Sequence, residues 1–159
     1  MLRTLREHGI DPRGWASAEY GQNQDTVALL IEAGLAYHCD WSSDDRPFRV
    51  RTVTDELIWT VPNAAQYDDS FVIEQRGLPS HAYYSSLVTA ADWLVAEAGR
   101  TGRRSLTANL RPYLTGQPFR ASYFEDTLKA LRDRDLVGAY SPERLVREID
   151  PSALRTDNS

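Results

Sequence analysis

At 159 residues, with 42% hydrophobic and 26% charged content, the chain has the size and make-up of a single globular domain with a core of its own. A net charge of -5, from 18 basic against 23 acidic residues, argues against the basic stripe on which nucleic-acid binding depends, and only Arg103 and Arg104 are adjacent basic residues. The single cysteine, Cys39, allows no internal disulfide, residues Met1 to Arg6 lack an apolar signal run, and no stretch approaches a membrane span; a cytoplasmic protein with no membrane partner is expected.

In chain order, Met1 to His8 reads as a short helix, with Leu2 and Leu5 on one side and Gly9 ending it. Gly14 to Ser17 reads as a short strand. Asp25 is placed to cap a helix that turns Val27, Leu30 and Ile31 inward and stops at Gly34. Leu35 to Cys39 follows as a strand, completing a β-α-β unit before the polar run Asp40 to Asp45. Leu57 to Val61 and Phe71 to Ile73 are apolar runs of strand type, the first closed by Pro62-Asn63.

A long helix is expected from Ala82 to Ala98, with Leu87, Ala90, Ala91, Leu94, Val95 and Ala98 as its buried stripe and Gly99 as its stop. Ser105 to Leu110 reads as the next strand. Ser122 and Glu125 have the spacing of a capping box for a helix burying Phe124, Leu128 and Leu131. Leu136 to Tyr140 reads as a last strand, and Ser141-Pro142 opens a final helix with Leu145, Val146 and Ile149. We expect one domain over residues 1–150 and a frayed tail over 151–159. The alternation gives an α/β fold with a mostly parallel sheet. Only four or five such strands fit, whereas a closed barrel of this kind needs about seven or eight.

Three stretches carry a family resemblance. They are Gly14-Trp15-Ala16-Ser17-Ala18-Glu19-Tyr20-Gly21, the passage from Leu30 to Pro47 with Asp40-Trp41 at its centre, and Leu106 to Arg120. Together and in this order they resemble the allantoinase-like branch of the polysaccharide deacetylases, from about Gly14 to Glu148. The resemblance implies a partial (half) β/α barrel, equivalent to the back half of such a protein. It also implies a parent chemistry of water attack on a non-peptide amide C–N bond, assisted by a divalent, zinc-like metal.

That metal is held, in the family resembled, by an aspartate and two histidines on segments preceding the position of Gly14. This chain departs from the pattern there, so no metal ligand and no cofactor is expected in it unless a partner chain completes the site. The histidine that the third stretch implies is Arg111, and Ala18 stands where a proline follows Ser17.

The exchange at 111 changes the available chemistry. Histidine titrates near neutrality and can protonate a leaving amine; arginine stays charged and only donates hydrogen bonds. Arg111 is left with two roles, an anion clamp or an ion pair with an acid such as Asp40, Asp44 or Asp45. Asp40 matches a pocket position and, with Glu19, is a candidate acid/base; its alternative is a loop cap. Trp15, Tyr20, Trp41 and Tyr113 are candidates for an aromatic wall around a small ligand, with core or rim packing as the alternative. His38, Cys39 and Asp40 are sequential and do not have metal-ligand spacing, Cys39 reads as an inert buried thiol, and Ser17 has no triad context.

Three readings follow. The chain is a degenerate deacetylase-like protein that assembles with itself or a complementing deacetylase-like chain, since an incomplete sheet leaves edges to cover. Or it is a C–N hydrolase completed by another chain. Or it is a metal-free enzyme or small-molecule-binding protein in which Arg111 holds an anionic ligand.

Overall fold

The computed structural model describes residues 1–135 and 137–154. They group into two compact units, one made of Met1–Pro62 with the chain from Tyr140 onward, the other of Asn63–Ala139.

The first unit holds a four-stranded mixed sheet in the order β1-β2-β4-β3. Strand β1 (Gly14–Trp15) pairs in parallel with β2 (Tyr37–His38), and β2 in parallel with β4 (Leu57–Thr60). Helix α1 (Leu2–Glu7) precedes the sheet, and helix α2 (Thr26–Glu32) makes the parallel crossover between β1 and β2. Val27 and Leu30 of α2 pack with Leu35 and Ile58, and Leu2, Trp15, Ile31, Trp41 and Val50 surround them. The β-α-β unit is thus as the sequence implies. Gly14 has a steric reason to be glycine: a side-chain carbon there would lie 2.0 Å from the Tyr37 ring.

Strand β3 (Phe48–Arg51), which lies outside the expected elements, forms an antiparallel hairpin with β4. Its alternation is short and carries arginines at the outward positions, so Phe48 and Val50 alone signal it. Helix α6 (Pro142–Ile149) starts where expected, with Ser141 Oγ accepting from the Arg144 N–H at 3.2 Å. Val146 is fully buried with Cys39 and Val61, and Ala153 and Leu154 pack against the same cluster. Residues 155–159 lie outside the described ones.

The second unit is mainly helical. Helix α3 (Ser80–Thr101) is longer than expected at both ends and stops at Gly102, in the left-handed region at φ 93°, not at Gly99. Its most buried side chains are Tyr83, Tyr84, Leu87 and Ala91. They meet Ile73 and Leu114 in a core that Leu106, Ala108, Leu110 and Phe124 complete. Helix α4 (Pro112–Thr115) is a single turn, and α5 (Pro118–Arg132) begins with Pro118, so Ser122 sits inside the helix and the capping box is not used.

Three expected strands are not found among the described residues. Residues Ser70–Gln75 form a π-helical turn, because the Asp68 carboxylate accepts from the Phe71 N–H at 3.1 Å and starts a helix where three apolar residues suggested extension. The segment 105–110 contributes only one parallel bridge, Asp68 to Asn109. Residues 137–140 have no regular structure, and Leu136 lies outside the described residues.

Candidate functional site

Two polar clusters stand out, one in each unit. The first lies at the carboxyl ends of β1, β2 and β4. The register pairs Trp15 with His38 and His38 with Thr60, so residues just beyond the strand ends are brought side by side. Asp40, 7% exposed, accepts at Oδ1 from the Ser17 N–H at 2.6 Å and at Oδ2 from the Ser17 hydroxyl at 3.0 Å. The Gln22 amide nitrogen makes a further hydrogen bond to Oδ2. Ser17 Oγ in turn accepts from the Trp15 indole N–H at 2.9 Å.

His38 is fully buried between these groups, with Nε2 2.8 Å from Thr60 Oγ1 and Nδ1 3.1 Å from Gln22 Nε2. Asp40 Oδ2 is 3.7 Å from Nδ1. Burial pushes the imidazole below its ordinary range, more strongly than the neighbouring Asp40 carboxylate pulls it up. Cys39 is buried too, and its thiol is pushed up to about 12 by burial and by Asp40. Such a thiol is not a nucleophile at neutral pH.

The second cluster is in the helical unit. Arg111 caps α4, and its Nη1 contacts Asp68 Oδ1 at 2.6 Å and Asp69 Oδ1 at 3.4 Å. The Arg111 backbone N–H donates to Asp69 Oδ2 at 2.8 Å, as does the Thr115 hydroxyl at 2.7 Å. Tyr84 OH donates to Thr115 Oγ1 at 2.9 Å, closing a buried chain. The Asp68 and Asp69 side chains are 3% and 0% exposed and the Arg111 side chain 27%. Arg111 is thus an ion-paired residue, as one of its two readings held. Its partners are Asp68 and Asp69, where Asp40, Asp44 or Asp45 was expected: the chain after β4 lays both acids against the start of α4.

The other candidates divide accordingly. Trp15 and Trp41 both pack on the first unit's core, and the Trp41 and His38 rings stand nearly perpendicular with centroids 5.3 Å apart. Glu19 is exposed and Tyr20 half-buried, both with positive φ, 49° and 58°. Tyr113 belongs to the second unit, where its hydroxyl donates to Glu74 at 2.9 Å. Gln22, Thr60, Asp68, Asp69 and Thr115 were not singled out from the sequence. Their only signal is tertiary, apart from the adjacency of the acids at 68 and 69.

Among the described residues no group of three or more His, Cys, Asp or Glu side chains gathers in a way that could hold a metal ion. The polar clusters do not fit one either: Asp40 is ringed by donors, both His38 nitrogens are hydrogen-bonded, and a fixed cation already sits on Asp68 and Asp69. We draw no step through a metal. No helix among the described residues is long and apolar enough to cross a membrane.

No protein-family model matches the chain, and no curated protein does. Solved structures do. The Puue allantoinase superposes with a TM-score of 0.83 at 21% identity, over 98% of this chain and 52% of its own. Two proteins classed as polysaccharide deacetylases follow. The one from Pseudomonas aeruginosa PAO1 has a TM-score of 0.78 at 24% identity, covering 94% and 51% of the two chains. The one from Mycobacterium smegmatis has 0.73 at 21%, covering 97% and 55%. The chain therefore has the mixed α/β fold of these deacetylase-type structures. It spans about half the length of each.

Proposed function

We propose that this chain is a deacetylase-like protein whose parent chemistry is hydrolysis of non-peptide amide C–N bonds, with that chemistry degenerate here, and that it acts by assembling with itself or with a complementing deacetylase-like chain. The observation that carries the reading is the state of Arg111. It stands where the resemblance implies a proton-donating histidine, and its guanidinium is engaged by Asp68 and Asp69. A group that stays charged and only donates cannot perform the acid step. The limited sheet, with β1 and β3 at its two margins, supports the need for an assembling partner.

As an anion clamp, Arg111 would set an incoming anion in competition with two buried carboxylates already in place. The fold likeness alone does not select among activities.

The test combines two measurements on the purified chain. Light scattering after size exclusion is expected to report a dimer or larger assembly. Hydrolysis of allantoin and of an N-acetylated amino-sugar oligomer, each with added zinc, is expected to be absent. A tight monomer removes the self-assembly reading; turnover by the chain alone removes the degenerate one.

A further inference from the structure

We infer that Gln22 is a positioning residue whose amide ties residues 17–22 to Asp40 and holds His38 in the neutral form, with its one ring proton on Nε2. The inference is independent of whether the chain turns over a substrate.

It follows from counting protons. Asp40 is acceptor-only as a carboxylate, and it receives donors from Ser17 N and Ser17 Oγ. The end of the Gln22 amide that faces Asp40 Oδ2 must therefore be its nitrogen. That same nitrogen lies 3.1 Å from His38 Nδ1, so Nδ1 has to be the bare, accepting nitrogen. The ring proton is then on Nε2 and is donated to Thr60 Oγ1 at 2.8 Å. Turning the amide over would offer Oε1 to a protonated Nδ1 but would set oxygen against the Asp40 carboxylate. The cost of the orientation adopted is visible, since Gln22 Oε1 is buried with no hydrogen-bond partner.

The same clip explains a strained turn. Glu19 and Tyr20 lie consecutively in the left-handed region, which is unfavourable for non-glycine residues. Asp40 grips that turn from both sides, through Ser17 before it and Gln22 after it. Around His38 the titratable groups are Asp40 and the ring's two chain neighbours, Tyr37 and Cys39, both pushed up to about 12 by burial. The 17–22 turn contributes Gln22 and β4 contributes Thr60, neither of which titrates. The downward push of burial on His38 acts in the same direction as the amide.

The experiment is a long-range proton–nitrogen spectrum of the full chain carrying nitrogen-15 histidine, recorded between about pH 5 and pH 8. His38 is expected to show the neutral Nε2–H pattern throughout, with the exposed His8 and His81 giving the reference signals. An Nδ1–H pattern, or an imidazolium pattern for His38 inside that window, overturns the assignment. In Gln22→Glu the nitrogen facing Nδ1 becomes an oxygen, and His38 is expected to take up a proton on Nδ1. In Gln22→Met no donor remains, and the single tautomer is expected to give way to exchange between two. A folded variant of either kind that keeps the wild-type pattern overturns the role of Gln22, and the wild-type spectrum decides the tautomer whether or not a variant folds.

Discussion

Arg111 and Asp69 meet twice: the Arg111 backbone N–H donates to Asp69 Oδ2 at 2.8 Å, and its Nη1 lies 3.4 Å from Asp69 Oδ1. The carboxylate thus takes up the N–H of Arg111, the N-cap of α4, the donor that the N3 acid of a capping box would otherwise satisfy. Arg111→Ala keeps the backbone contact but removes the cation from two buried acids. We expect a loss of about 2–4 kcal/mol, below the top of the range for a broken buried pair because the guanidinium is partly solvated. Urea unfolding measures it, and a change under about 0.5 kcal/mol would contradict the ion-pair account.

Tyr84, Thr115 and Asp69 form a donor chain in the helical unit's core. Tyr84→Phe removes one buried hydrogen bond and is expected to cost about 1 kcal/mol. Thr115→Val removes the acceptor of Tyr84 and a donor to Asp69 together, and about 2 kcal/mol is expected. The double variant should lose less than the sum, which a double-mutant cycle in urea tests directly.

Asp150 accepts from Ser152, from the Trp59 indole at 3.1 Å and from Arg49, and these hold its carboxyl well below the usual range. A depressed folded-state value contributes stability that is complete above the unfolded value, about 3.9, and is lost as pH falls through the folded one. Asp150→Asn should therefore lower stability at neutral pH and flatten its decline below about pH 4. Equal slopes for the two proteins in acid would argue against the linkage.

His38 sets a second, higher window. Its folded-state value is lowered by burial, so the neutral ring is favoured by the fold. The associated stability is full above the ordinary histidine range and declines as pH falls below about 6.5. Thermal unfolding from pH 8 to pH 5 should show Tm falling over that interval, and His38→Gln should reduce the fall.

Cys39 offers a chemical test of burial. Its thiol is pushed up to about 12, burial first and Asp40 second. A disulfide-exchange reagent should label it only as fast as the chain opens, with rates that climb steeply with urea. Rapid labelling of the native chain would place the thiol at the surface instead.

The parts of the fold legible in the sequence are those with local causes. Leu30 and Val27 repeat at helical spacing before Gly34, and Ser141 precedes Pro142 and supplies the cap oxygen, so α2 and α6 are recoverable from a few residues each. The strand assigned to Phe71–Ile73 fails because three apolar residues carry no period, and a carboxylate two positions upstream of Ser70 decides for a helical turn. The hairpin strand Phe48–Arg51 fails for the opposite reason, since its two inward residues only become a pattern once β4 lies beside them.

By itself the sequence determined that the chain is α/β, that a β-α-β unit lies near its start, and that residue 111 is a permanent cation. These follow from periodicity, from cap chemistry and from the side chain itself. Only the tertiary structure decided which acids that cation meets and which donors Asp40 receives. Arg111 lies 43 positions from Asp68, and Asp40 lies 23 from Ser17. Separations of that kind are closed by strand register and helix packing, which no local pattern encodes.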